Sequence, residues 1–157
     1  MRVLVQRVKE ASVKSGDYYG SVQKGLLLLV GVHELSTESD ADALADKIVK
    51  SRIFEDDAGK MNLSVQDIAG EILSISQFTL YADVKKGNRP SFTKAMQPQK
   101  AEQIYHYFNT QLKNKGLKVV QGCFGEMMDI ALINEGPVTI MYESFSTKSE
   151  RSFREEW

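Results

Sequence analysis

Alternating apolar and polar positions at the amino terminus predict extended structure. Residues 2–8 alternate in this way, and turn residues follow at positions 16–17 and 24–25. Residues 26–32 are apolar throughout but too few for a typical helix, so we interpret them as a strand buried on both faces. These segments predict a hairpin or meander that leads into a buried strand.

Two later segments have the apolar spacing of a helix. In the first, apolar residues recur at helical spacing within residues 41–49, behind Ser39, which is placed to cap the first turn. In the second, Pro98 precedes an apolar stripe, and Gly116 is placed to end the helix. The pattern therefore predicts two main helices.

The remaining apolar segments predict strands. Residues 72–81 carry apolar groups on both faces, as in a central strand, and extended segments are expected at residues 117–124, 128–133 and 138–145. The Gly-Pro pair between the last two is interpreted as a turn that reverses the chain. We predict an α+β fold in a single domain, with antiparallel β-sheets, barrel-like or a sandwich, covered by two main helices.

The composition is that of one ordinary globular domain. The 157 residues are 42% hydrophobic, and we predict a domain over residues 1–145 followed by a polar tail over residues 146–157. A net charge of −1 means that any RNA contact must be local. A single cysteine and the lack of an apolar run suited to a signal sequence or a membrane span favour the cytoplasm.

The usual catalytic side chains are scarce. Two histidines are present, His33 and His106, and we interpret both as solvated side chains, and Cys123 as a small apolar filler. No glycine-rich phosphate loop and no metal-ligand spacing occurs, so neither a cofactor nor a metal is expected. A mechanism built on a histidine-activated nucleophile is therefore disfavoured.

Polar residues interrupt the apolar strand predicted at residues 72–81. Either Ser76, Gln77 and Thr79 face a partly solvated edge or bond to neighbouring backbone, or the strand ends at a pocket where backbone N–H groups form an oxyanion hole. No base is visible that would activate the Thr79 hydroxyl, so we interpret Thr79 as a position holder and not a nucleophile.

A basic loop follows the same segment. Lys85, Lys86 and Arg89 lie within five residues, next to Gly87 and close to the aromatic Phe92. This loop is either an ordinary solvated loop or a compact RNA phosphate contact beside the pocket. A patch of this size suits the end of a nucleic acid better than a long groove.

Three segments together resemble the D-aminoacyl-tRNA deacylases: SQFTLYAD at residues 76–83, GNRPSF at 87–92 and NEGPVT at 134–139, after an opening MRVLVQRV. The resemblance implies hydrolysis of the ester that joins a D-amino acid, or glycine, to the terminal adenosine of tRNA, as proofreading. It also implies a homodimer with its active sites at the subunit interface, an aminoacylated tRNA 3′ end as partner, and no metal, cofactor or membrane.

The same resemblance implies roles for residues of the strand at the pocket. Ser76, Gln77, Phe78 and Thr79 match the segment that forms the pocket, and the backbone N–H groups of Phe78 and Thr79 would hold the ester carbonyl. The terminal 2′-hydroxyl of the RNA would assist attack by water. No side chain would act as a nucleophile, which agrees with the scarcity of histidine and cysteine.

Further roles are implied on the opposite side of the substrate. Gly136 and Pro137 match a Gly-cis-Pro pair that reaches into the partner's pocket, and Arg7 matches an arginine that orients this loop. Phe124 and Met128 match positions on the adenosine side. Two carbonyl groups of the loop would accept hydrogen bonds from the α-ammonium group, so that an L side chain strikes backbone while a D side chain or glycine fits.

Two other functions are compatible with the same residues. A protein without a catalytic side chain can bind an RNA end or a metabolite as a non-catalytic dimer, using the same pocket. Alternatively, the chain is a structural interaction protein in which the Gly-Pro pair is only a tight turn.

Overall fold

The computed structural model describes residues 1–144, which form a mixed sheet, a small second sheet and two α-helices. The strands are β1 (Arg2–Ser15), β2 (Tyr18–Val22), β3 (Gly25–Gly31), β4 (Phe54–Glu55), β5 (Met61–Leu63), β6 (Glu71–Ser76), β7 (Lys118–Gln121) and β8 (Asp129–Glu143). The helices are α1 (Glu38–Lys50) and α2 (Pro98–Asn114), and a 3-10 turn spans Phe78–Tyr81. The predicted α+β fold is confirmed, whereas the predicted tail at 146–157 lies outside the described residues.

The long strand β1 organises the main sheet. β3 and β2 pair with successive parts of one edge of β1, and β8 pairs with the other edge, all antiparallel. β6 pairs with β3, and β7 with β6, both parallel, because α1 and α2 lie in the connections and return the chain in the same direction. The Tyr18 hydroxyl on β2 donates to the carbonyl of Gln121 on β7 at 2.6 Å, so the sheet is nearly closed and barrel-like.

The two faces of the sheet pack two separate cores. On β3, Leu26, Leu28 and Val30 pack against the helices, whereas Leu27 and Leu29 point into the curved sheet. This double burial confirms the prediction made for residues 26–32, because alternate residues of a strand face opposite sides. Among residues 1–144, neither helix has the length and hydropathy to cross a membrane.

The structure shows where α1, α2 and β6 begin or end, and two of these positions differ from the prediction. α1 begins at Glu38 behind Thr37, whose capping box with Asp40 satisfies the first N–H groups, so the prediction of Ser39 as the cap is wrong. α2 begins at Pro98 as predicted. The strand predicted to continue through residue 81 ends at Ser76, because after a last bond from Gln77 N–H to the Val30 carbonyl the chain enters the 3-10 turn and leaves β3.

The Gly-Pro pair lies in a bulge and not in a hairpin, so that prediction is also wrong. Both halves of β8 run antiparallel to β1, without reversal of the chain. Gln6 pairs with Thr139 and Val8 with Asn134, so the four residues 135–138 lie opposite the single residue Arg7. The extra residues therefore project from a continuous strand.

Candidate active site

Arg7 supports the bulge at residues 135–138. Its Nε donates to the Glu135 carbonyl at 3.2 Å, and its Nη1 donates to the Ile53 carbonyl at 2.9 Å. The arginine is 4% exposed, whereas Gly136 and Pro137 are exposed and joined by a cis peptide bond. The buried guanidinium thus holds Glu135, the first residue of the bulge, while Gly136 and Pro137 at the tip of the bulge face outward.

Asn134 closes the base of the bulge. Its Nδ2 donates to the carbonyls of both Arg7 and Val138 at 3.0 Å, and its Oδ1 accepts from the Thr139 hydroxyl at 3.4 Å. This role was not predicted, although an asparagine two residues before a glycine in a turn-like segment is a signal for side-chain to backbone bonding. Arg7 and Asn134 together fix where the bulge leaves the sheet.

We expect Asn134→Ala to lower the free energy of unfolding by about 1–3 kcal/mol, because two carbonyl groups lose their donor. The measurement is the urea midpoint at constant slope. Asn114→Ala, at the exposed end of α2, is the matched control and should change stability by less than about 0.5 kcal/mol. Equal losses of unfolding free energy in the two variants would show that the Asn134 hydrogen bonds do not stabilise the base of the bulge.

A second group of predicted residues lies at the 3-10 turn that follows β6. The Gln77 N–H donates to the Val30 carbonyl at 2.7 Å, which ends the strand, and the Gln77 side chain donates to the Thr79 hydroxyl. Within residues 1–144, the N–H groups of Phe78 and Thr79 donate to no other residue. Two adjacent donors are therefore available at an exposed turn.

Buried side chains hold this turn from below. Arg2 Nη1 donates to the Leu80 carbonyl at 2.8 Å, and the guanidinium lies 4.8 Å from the Tyr81 ring centroid. His33 packs edge-on against the same ring at 5.2 Å and is 2% exposed, so its interpretation as a solvated side chain is wrong. His106 is exposed on α2, as predicted.

Helix α2 holds the preceding strand. Burial raises the pKa of Tyr105, so its hydroxyl stays protonated and donates to the Ser74 carbonyl at 2.7 Å. The ring of Phe124 lies 5.9 Å from that of Tyr105. Met128 packs beside Ile75 in the core inside the curved sheet. Phe124 and Met128 thus follow β7 at the edge where β6 ends, because parallel strands end on the same side.

The basic loop lies next to the turn and is closed by backbone hydrogen bonds. Asp83 and Ser91 exchange N–H to carbonyl bonds of 2.7 and 2.9 Å. Lys85, Lys86 and Arg89 are exposed between them. Phe92 follows the closure, so the loop returns to the turn from which it starts.

A groove of about 580 Å³ opens on the other side of the turn. It is lined by Thr79 and Leu80 of the turn and by Arg2, Met141 and Glu143 of β1 and β8, among others. Arg2 and Glu143 form an ion pair at 3.6 Å that joins the two strands at this end. The groove therefore places the edge strand β8 beside the available N–H groups.

One chain does not bring all the predicted residues together. The turn contacts Arg2, the bulge contacts Arg7, and these positions are five residues apart on β1, which is about 17 Å along a strand. No hydrogen bond, ion pair or ring contact within residues 1–144 joins the bulge to the turn. The structure thus groups Ser76 to Thr79 with the basic loop and Phe124, and separately groups Arg7 with Gly136 and Pro137.

Comparison with known proteins gives consistent results. A family model described as D-Tyr-tRNA(Tyr) deacylase matches residues 4–143. A D-aminoacyl-tRNA deacylase of Exiguobacterium sp. is 57% identical over 91% of this chain and 98% of its own, and one of Staphylococcus aureus (strain JH9) is 55% identical over 92% and 96%. The solved structure of a c-Myc DNA Unwinding Element Binding Protein superposes with a TM-score of 0.86 at 39% identity, covering 93% of this chain and 100% of that one.

Proposed function

The chain belongs to the D-Tyr-tRNA(Tyr) deacylase family and is a hydrolase of D-aminoacyl-tRNA, and from this premise we propose how it acts. Two subunits of a homodimer build each site: one supplies the turn at Phe78–Tyr81, and the other supplies the bulge at Gly136 and Pro137. The substrate is the ester of a D-amino acid, or of glycine, on the 3′ end of tRNA. The observation that carries this proposal is that, in one chain, the turn contacts Arg2 and the bulge contacts Arg7, two positions of β1 that are about 17 Å apart along the strand.

The turn stabilises the developing negative charge. The N–H groups of Phe78 and Thr79 have no other acceptor within the described part of the chain, so they are available to the ester carbonyl oxygen. Donors held in place before the reaction stabilise a tetrahedral oxyanion without reorganisation. The contacts of Arg2 and Gln77 keep the turn in position.

The bulge selects the configuration of the amino acid. Carbonyl groups at Gly136 and Pro137 accept hydrogen bonds from the α-ammonium group, and glycine leaves space for it. With the ammonium, the carbonyl and the ribose fixed, a D side chain points outward, whereas an L side chain meets backbone. Rejection therefore comes from a clash, and the identity of a D side chain is hardly distinguished.

Water is the nucleophile in this proposal. Water adds to the ester carbonyl, with the neighbouring 2′-hydroxyl of the terminal ribose assisting, and the tetrahedral intermediate expels the ribose oxygen. The products are the free amino acid and tRNA. The Thr79 hydroxyl accepts from Gln77 and serves to order the turn.

The edge strand β8 supports assembly into a dimer. β8 is 15 residues long and pairs only with β1 among the described residues, so its outer edge carries backbone groups that a second chain can pair with. Leu132, Ile133 and Met141 are exposed along it. We infer that the partner's bulge enters the groove beside the turn, which has room for it and for the aminoacyl ester.

The test compares three esters: D-Tyr-tRNA, L-Tyr-tRNA and free D-tyrosine methyl ester. We expect hydrolysis of D-Tyr-tRNA with a kcat/KM at least about 100-fold above that of L-Tyr-tRNA, because the L side chain clashes with backbone. The methyl ester should be hydrolysed poorly, since it lacks the ribose. Equal rates for the D and L esters of tRNA would contradict the proposal, and binding without turnover would favour the non-catalytic RNA-end binder.

A further inference from the structure

Two exposed phenylalanines form a pair beside the proposed site. Phe78 is 56% exposed and Phe92 is 38% exposed, and their rings meet edge to face with centroids 5.2 Å apart. Phe78 belongs to the ordered turn. Phe92 follows the Asp83 and Ser91 closure, and its carbonyl accepts from Ala95 N–H at 3.1 Å. The backbone at both rings is thus fixed, and aromatic surface faces outward.

The surroundings of this aromatic pair are strongly basic. Asp83 is the single acidic residue in the sequence from 83 to 100, whereas that segment has five basic residues, Lys85, Lys86, Arg89, Lys94 and Lys100. The whole chain has a net charge of −1, whereas this segment has five basic residues and one acidic residue, so it is a local concentration of positive charge. Lys94 forms an ion pair with Glu34 at 3.7 Å. Three of the five basic residues, Lys85, Lys86 and Arg89, lie in the loop between Asp83 and Ser91, and all three are exposed. Aromatic rings between cations suit single-stranded nucleic acid, since bases stack and phosphates pair with the cations.

We propose that Phe92, supported edge-on by Phe78, stacks the unpaired base that precedes the terminal adenosine of tRNA, and that Lys85, Lys86 and Arg89 bind the phosphates next to it. This inference rests on the proposed function, which puts the ester at the N–H groups of Phe78 and Thr79. The terminal adenosine then extends toward Phe124 and Met128, and the chain upstream of it passes the aromatic pair. Stacking tolerates any base, so the contact adds affinity without selecting one tRNA.

The test combines a substitution with a truncation of the substrate. D-tyrosyl esters are prepared on adenosine alone and on a short RNA that ends in CCA, and both are hydrolysed by wild type and Phe92→Leu. Leucine keeps apolar bulk but cannot stack, so we expect KM for the CCA ester to rise about 10-fold more than KM for the adenosine ester. Phe92→Tyr should restore KM, and Tyr19→Leu, which replaces another exposed aromatic residue, on β2, is the matched control.

Binding of the unacylated RNA is measured separately from hydrolysis. Replacing Lys85, Lys86 and Arg89 with alanine should flatten the slope of log Kd against log salt by roughly 2, since each phosphate contact contributes about 0.7. The same oligonucleotide made as DNA should bind comparably, because stacking and phosphate pairing do not require the 2′-hydroxyl. Equal penalties of Phe92→Leu on both esters, or an unchanged salt slope, would overturn the inference.

The outcomes separate this inference from the proposed function. If wild type hydrolyses D-Tyr-tRNA and Phe92→Leu changes KM for neither ester, the proposed function is supported and the stacking site is contradicted. Binding of CCA RNA that depends on Phe92, without hydrolysis of any D ester, supports the stacking site and contradicts the function. A Phe92→Leu variant that dissociates the dimer and binds RNA normally would assign the pair to the subunit interface and overturn the inference.

Discussion

Gly136→Ala is expected to lower kcat/KM for D-aminoacyl-tRNA by at least about 100-fold, because displacing substrate contacts by an ångström has effects of that size. Gly136 has a φ of +121°, a conformation that L side chains rarely adopt. A Cβ there would lie 2.9 Å from Arg7 Nη2 and 3.1 Å from the Val138 backbone nitrogen. The bulge must therefore shift, and the carbonyl groups proposed to hold the α-ammonium group shift with it.

A matched substitution separates local strain from an effect on the site. Gly59→Ala places a side chain at a φ of +77° in the turn between β4 and β5, with no atom within 4 Å of the added Cβ. This control should lose some stability through its backbone conformation and keep its kcat/KM. If Gly136→Ala has the wild-type kcat/KM for D-Tyr-tRNA, the bulge does not belong to the active site.

The second large effect is recovery of activity in mixed dimers. Phe78→Pro removes one of the two available N–H groups at the first position of the turn, where proline is tolerated, and should lower kcat about 100-fold or more. Co-expression with the Gly136→Ala chain under two affinity tags yields mixed dimers. These should regain about half of the wild-type activity, since one of the two symmetric sites has both an intact turn and an intact bulge.

The control places both substitutions in one chain and pairs that chain with wild type. If turn and bulge come from different subunits, each site in this dimer has one damaged half and the dimer stays inactive. If both come from one chain, the wild-type subunit keeps an intact site and the result is reversed. The two dimers carry the same substitutions, so differences in folding do not explain the contrast. Phe78→Leu, which keeps the N–H group, checks that the proline acts through its missing donor.

Local pattern was sufficient for most of the elements. Residues 26–32 are apolar on both faces, and the structure buries both faces of β3. Pro98 begins α2 as predicted. The N–H groups of the first helical turn have no acceptor within the helix, so proline, which lacks an N–H group, is tolerated there. The α+β fold with two helices follows from such signals, which depend only on residues close together in sequence.

The predictions that failed depended on distant parts of the chain. The apolar pattern continues past Ser76, but β6 stops there because the chain leaves β3 and forms the 3-10 turn at Phe78–Tyr81, whose Leu80 carbonyl accepts from Arg2. The Gly-Pro pair has the composition of a reversing turn, yet β1 pairs with the chain on both sides of it and keeps one direction. His33 is polar by type, and Tyr81 covers it only once the turn is folded.

The candidate site divides in the same way. The sequence named Arg7, Gly136 and Pro137, and also the residues from Ser76 to Thr79, through resemblance to a family, and comparison with known proteins confirms that family. Two residues were not singled out, Asn134 at the base of the bulge and Arg2 below the turn, because the Arg7 carbonyl that Asn134 binds and the Leu80 carbonyl that Arg2 binds are far away in the chain. The roles proposed for all these residues remain predictions.

The sequence by itself determined the helices, the buried strand and the basic segment beside Phe92. Only the tertiary structure decided that the Gly-Pro pair is a bulge on β8, and that the turn and the bulge contact positions of β1 that are about 17 Å apart along the strand. The physical reason is that periodicity and turn residues report local preferences. Strand register and direction are instead chosen by hydrogen bonds between residues more than a hundred positions apart, such as Val5 and Ile140.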